Sequence, residues 1–137
     1  MPLLGAPPIN QAFHFMVGNT AEIPWMLYVI IIHAGIGEEI LFRGWAFERF
    51  AKLLGSAPWA KAIAVIGTSA WFGYAHLGFQ GMPAVQQAAI VGLIFGTFFA
   101  FRKNIYPLII AHIAFDIAAF AIIYFDRESA VAHWFFK

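Results

Sequence analysis

Three short clusters hold most of the ionisable side chains that lie inside otherwise apolar sequence. They are Glu38-Glu39-Ile40-Leu41-Phe42-Arg43, Phe72-Gly73-Tyr74-Ala75-His76 and His112-Ile113-Ala114-Phe115-Asp116. Each contains a pair four residues apart, and that spacing sets both members on one face of a helix. Glu39 can pair with Arg43 along its own helix, while Glu38 points about 100° away toward another neighbour. Asp116 can hydrogen-bond His112 and so set its tautomer and orientation. Phe72 lies one turn from His76 and can buttress its ring. Peptide hydrolysis needs a base for water, help for the oxyanion and a proton donor for the leaving amine. Carboxylates and imidazoles such as Glu38, His76, His112 and Asp116 are groups of the type that does acid–base work. The same four are oxygen and nitrogen donors of the kind that hold zinc with one position left for water. No cofactor is the expectation and zinc the alternative, because Glu38 is of more use as a base than as a ligand. Other hydrolase designs are missing: there is no HExxH sequence and no second intramembrane aspartate for a dyad. Ser69 precedes His76 by seven residues, so ~10 Å of helix rise keeps the two apart.

These residues need elements to hold them, and the composition says what kind. Of 137 residues 62% are hydrophobic and only 11% charged, against about 25% charged in a soluble domain, so this chain cannot solvate a globular surface. Soluble enzymes, disordered tails and, at a net charge of +1, nucleic-acid binders are excluded as readings. There is no cysteine, which removes disulfides and thiolate metal sites. The expected fold is an all-α polytopic membrane helix bundle with four long transmembrane helices and a short N-terminal segment. Between Lys61 and Arg102 run 40 residues without a charge. That length fits two crossings of about 20 residues each. Gly78-Phe79-Gln80-Gly81-Met82-Pro83 supplies the turn between them. A further crossing runs from about Tyr106 to Phe125, and the first from about Ile23 to Leu54, closed by Gly55-Ser56-Ala57-Pro58. Ala88, Gly92, Gly96 and Ala100 place a small residue every four positions, a stripe suited to close helix packing in lipid; lining a substrate groove is the alternative. Residues 1–21 are expected to form an interfacial or partial helix centred on Gln11–Val17, 22–127 the core, and 128–137 a tail.

Arg49, Lys52 and Lys61 flank the first connection, and Arg102 and Lys103 form the third. The positive-inside rule then puts both connections in the cytoplasm and both termini outside. The protein is expected in the cell's inner or plasma membrane. Counting residues along each helix puts Glu38 and His76 roughly 24–27 Å from the first connection and His112 ~9 Å from its own helix start. The levels agree if the first hairpin overhangs the membrane, with the site about a third of the way in from the cytoplasmic face, or if helix tilt or a break near Gly35 and Gly37 makes up the offset.

The ordered series Glu-Glu-x-x-x-Arg, Phe-x-x-x-His and His-x-x-x-Asp, carried here by Glu38–Arg43, Phe72–His76 and His112–Asp116, resembles the CAAX protease and bacteriocin-processing family of intramembrane endopeptidases. That family includes the type II CAAX prenyl endopeptidases and abortive-infection-type membrane proteases. The resemblance covers roughly residues 35–125. It implies that Glu38 and His76 activate water and that His112 and Asp116 complete the site and help to hold the oxyanion. Glu39, Arg43 and Phe72 would support them. Asp116 stands where many relatives have asparagine; an aspartate donates a hydrogen bond only when protonated, so a helper role for His112 suits it better. The resemblance also implies a peptide or protein substrate with a membrane-anchored or C-terminal tail. Family members usually carry additional helices, so either this core alone suffices or a second copy or a helper membrane subunit replaces the missing ones.

Blander readings stand beside these. Glu39–Arg43 can be a structural ion pair, His76 a packed core histidine and His112–Asp116 a structural hydrogen bond. His14, His33 and His133 match no motif and read as interfacial or packing residues. Asp126, Arg127 and Glu128 read as a solvated helix end. Two other functions compete: a non-catalytic membrane immunity or scaffold protein of the same fold, and an ion or proton transporter using the four polar residues as a relay. A relay needs polar residues along a continuous path, and the third helix offers only Gln86, Gln87 and Thr97.

Overall fold

The computed structural model describes residues 9–55 and 57–135, and all of their regular structure is helical. Helix α1 runs from Thr20 to Leu54, α2 from Pro58 to Ala75, α3 from Leu77 to Arg102, α4 from Tyr106 to Tyr124 and α5 from Glu128 to Phe135. Three of these, α1, α3 and α4, are long and apolar enough to cross a bilayer. The expected fourth, α2, has the length but is not among them. Its 18 residues include Lys61, Thr68 and Ser69, and it gains its place by packing on α3 rather than by hydropathy.

Simple sequence signals set most helix ends. Pro58 and Pro107 stand in the first turns of α2 and α4, where a missing N–H costs nothing. Gly55, at φ 84°, ends α1 in a conformation that residues with a Cβ rarely adopt. Ser56, beside it, lies outside the described residues, as do Gly5, Pro7 and Pro8. The turn expected over Gly78–Pro83 is tighter than that. The backbone leaves α2 at His76, makes one helical turn, and breaks at Gly81, φ 74° and ψ −174°.

The small-residue stripe proves to be a packing surface. Ala88, Gly92, Gly96 and Ala100 are all buried. A Cβ on Gly92 would stand 3.0 Å from the Cα of Ser69, and one on Gly73 would stand 2.9 Å from the carbonyl oxygen of Val85. The α2 and α3 backbones therefore touch where side chains are smallest, the arrangement that favours association in lipid. Phe47, Ala64, Val65 and Ala100 close one end of this pair.

Helix α1 is not uniformly α-helical. It passes through two π-helical runs, Val29–Glu38 and Ile40–Ala46, before returning to α geometry at Phe47. The two runs meet at Glu39. Gly35 sits on this stretch, buried against Ile113 so closely that a Cβ would overlap its side chain, which brings α1 against α4.

The N-terminal segment forms a 3-10 turn at His14–Met16 rather than a longer helix. Met16 is buried with Met26 and Ile123, and the Gly18 N–H donates to the Tyr124 carbonyl at 3.0 Å. At the other terminus the expectation of a solvated helix end fails for Glu128. That residue begins α5 and is 9% exposed, and its Oε1 accepts the Asn10 N–H at 2.8 Å. The turn that allows this is at Asp126, φ 53°.

Candidate active site

The three clusters converge between α1, α2 and α4. Glu39 is fully buried and Arg43 is 2% exposed; Arg43 Nη1 donates to Glu39 Oε1 at 2.9 Å. The guanidinium also lies over two rings, 4.6 Å from the centre of Phe72 and 5.4 Å from that of Phe95. A buried arginine thus has a carboxylate at one side and two π faces at others, a combination that offsets its desolvation.

His112, 7% exposed, sits between the two glutamates. Its Nδ1 donates to Glu39 Oε1 at 2.9 Å. Its Nε2 faces Asp116 Oδ2 at 3.7 Å and Glu38 Oε2 at 3.9 Å. Two expectations are corrected here. The group that hydrogen-bonds His112 is Glu39, from another helix, and not Asp116, whose distance is too long for a hydrogen bond. And Glu38 does not turn away to a different neighbour: both glutamates address the same imidazole, one at each nitrogen. Straight α-helical geometry would separate them by about 100°. The π winding on both sides of Glu39 shifts that angle, and an imidazole inserted between neighbouring carboxylates can meet both.

His76 caps α2. Its Nδ1 donates to the Phe72 carbonyl at 2.8 Å, because a carbonyl can only accept. Nε2 is then the nitrogen left free for other partners. The Phe72 ring, 2% exposed, stands edge-on to His76 at 4.9 Å and to His112 at 6.1 Å between centroids. The expected buttress for one histidine serves both, and Arg43 as well. Phe72 itself is locked by Phe42, 5.0 Å away, and by burial with Ala88.

Reading the sequence alone missed Phe95. Its ring stands edge-on to His112 at 6.0 Å and under Arg43, so α3 closes the site through an aromatic residue and not a polar one. The available signal was its position between Gly92 and Gly96, which fixes the turn of α3 that meets α2. Ser69 is excluded directly, since its hydroxyl donates to the Val65 carbonyl at 2.6 Å.

One oxygen of each glutamate, Glu38 Oε2 and Glu39 Oε2, is buried without a hydrogen-bond partner. Burying an acceptor in this way is costly unless something donates to it. Among the described residues no three carboxylate or imidazole side chains converge as the ligands of a metal ion. Glu38, His112 and Asp116 have the donor chemistry of zinc ligands, and the oxygens of the two carboxylates stand 3.9 and 3.7 Å from His112 Nε2.

Apolar helices long enough to cross a bilayer, enclosing paired carboxylates, two imidazoles and an arginine, mark an integral membrane protein. The family comparison agrees. A model for type II CAAX prenyl endopeptidase Rce1-like proteins matches residues 20–118, which takes in all three clusters, and the chain belongs to that family of proteases. No curated protein and no solved structure matches it.

Proposed function

We propose that this protein is an intramembrane endopeptidase that hydrolyses a peptide bond near the membrane surface, in a substrate carrying a membrane-anchored or C-terminal tail, with Glu38 as the base. The observation that carries the reading is Glu38 Oε2, buried, without a partner and 3.9 Å from His112 Nε2. A carboxylate oxygen held in that way can accept a hydrogen bond from water and then its proton. The hydroxide so formed attacks the substrate carbonyl.

The neighbours suit the remaining steps. Glu39, pinned by Arg43, holds His112 through Nδ1 and leaves Nε2 facing the same space as Glu38 and Asp116. Protonated at both nitrogens, His112 presents an N–H to the oxyanion of the tetrahedral intermediate. His76, with Nδ1 committed to the Phe72 carbonyl, has Nε2 free to help orient the water and then to relay to the leaving amine the proton that Glu38 took from it. Asp116 brings a second polar oxygen to within 3.7 Å of His112 Nε2.

The test is turnover of a membrane-tail peptide by purified Glu38→Gln. Activity should fall by about 10²–10⁴-fold, the contribution of a general base, with the helical fold retained. Near wild-type turnover would remove Glu38 from the chemistry. Chelator treatment of the wild type separates the mechanisms: the metal-free reading expects unchanged turnover, while loss of activity restored by zinc would make Glu38, His76, His112 and Asp116 metal ligands instead.

A further inference from the structure

A groove of about 490 Å³ lies between α2 and α3, away from the candidate active site, and its lining includes Lys61, Val65, Ile66, Leu93, Thr97 and Phe101. Leu93 and Thr97 stand two residues to either side of Phe95, about 200° round the helix from it, so the groove occupies the opposite face of α3. Its walls are apolar and open outward: Ile66 is 60% and Phe101 79% exposed. In a bilayer such a surface meets acyl chains. Lipid tails are as apolar as the groove itself, so the chain supplies fit but little preference between lipids.

Preference comes from charge at the groove's end. Arg49, Lys52, Lys61, Arg102 and Lys103 gather at this end of the bundle, with Glu48 as its carboxylate, and Lys52 already pairs that group at 2.5 Å. All seven Asp and Glu residues of the chain are among the described residues, and none lies within ion-pair distance of Lys61, Arg102 or Lys103. Lys61 stands in the first turn of α2, where no acidic neighbour offsets it. Lys103 packs over Phe47 at 4.6 Å, and partial burial together with the charge of Lys61 holds its ammonium below the ordinary lysine range.

We propose that this groove binds an anionic phospholipid, with one acyl chain lying between α2 and α3 and the phosphate held by Lys61, supported by Lys103. An anion there relieves two ammonium groups that have no counter-ion among the described residues, and the chain covers exposed apolar wall. Uncharged or zwitterionic lipids satisfy only the second need.

The experiment is native mass spectrometry of the purified protein in neutral detergent with phosphatidylglycerol and phosphatidylcholine of identical chains. The wild type should retain phosphatidylglycerol preferentially. Lys61→Gln should lower that preference about fivefold, the ratio that roughly 1 kcal/mol per basic residue near an anionic headgroup converts to. Lys61→Arg should keep it. Arg49→Gln, at the same end but outside the groove, should leave it unchanged, and Thr97→Trp should reduce retention of both lipids by filling the groove. The thermal unfolding midpoint of each variant verifies that it is folded. The proposal is overturned by equal retention of the two lipids in the wild type, or by an undiminished preference in Lys61→Gln. It is equally overturned if Arg49→Gln matches Lys61→Gln, which would mean diffuse surface attraction, or if an uncharged isoprenoid alcohol binds as well as phosphatidylglycerol.

Discussion

Replacing Glu39 should damage the fold, whereas replacing Glu38 should damage only the chemistry. Glu39 Oε1 accepts from Arg43 and from His112, both at 2.9 Å, inside a fully buried setting. Glu39→Gln keeps the size and an acceptor but removes the charge that Arg43 was buried against. Breaking one partner of a buried pair costs about 3–5 kcal/mol, because the other is left uncompensated. The hydrogen bond to His112 would account for roughly 1.5–3 kcal/mol by itself, but both bonds share one oxygen, so the two losses overlap and the larger figure bounds the sum. Two π faces remain over the guanidinium and soften the loss, which places the expectation toward the lower end, about 3 kcal/mol. Reversible unfolding in mixed micelles measures it. The double variant Glu39→Leu with Arg43→Leu supplies the control: with both charges gone, most of the stability should return. Wild-type stability in Glu39→Gln, or a double variant that shows no coupling, would refute the argument that Arg43 depends on Glu39.

Three further outcomes follow from the geometry. Because Asp116 is 3.7 Å from His112 Nε2 and Glu39 already anchors the ring, Asp116→Asn, which keeps the shape and a polar oxygen beside that nitrogen, should retain most peptidase turnover, and Asp116→Leu, which leaves Nε2 facing an apolar side chain, should lose roughly 10²-fold, the lower end of a general acid–base contribution; full activity in Asp116→Leu would take it out of the site. Gly92→Leu must push Ser69 away and should cost about 1–3 kcal/mol of stability by overpacking, whereas Gly44→Ala, with open space around its added Cβ, should be close to neutral; equal midpoints for the two would contradict the close α2–α3 contact. Cysteines introduced for Gly78 and Arg127 should be labelled from outside intact cells and those for Lys52 and Lys103 should not, with the reverse pattern inverting the orientation.

The three clusters, the helix-ending glycines and prolines and the packing stripe could all be read in the sequence, because each is a local pattern with a fixed period. What could not be read is which partner a side chain takes from another helix. An i,i+4 rule pairs His112 with Asp116, but the hydrogen bond goes to Glu39, 73 residues away. Nothing in Val29–Ala46 announces π winding beyond Gly35, Gly37 and Gly44, which weaken α geometry without dictating its replacement. Nothing in the local sequence separates Phe95 from a lipid-facing aromatic; the Gly92–Ser69 contact fixes the rotation of α3 that turns it to His112. Glu128 was read as solvated because two charged neighbours precede it; its burial depends on Asn10, from the far end of the chain. Polar residues are sparse enough here that finding the site was easy and wiring it was not.

The clasp between the two ends carries a consequence for biogenesis. Met16 is covered by Ile123, Gly18 donates to Tyr124, and Asn10 donates to Glu128. The segment around residues 10–18 leaves the ribosome before any of these partners has been synthesised. Its contacts therefore form only after α4 and the start of α5 have been synthesised. The earlier segment is fastened by the later one, and a nascent chain arrested before residue 123 would present Met16 uncovered to chaperones and proteases.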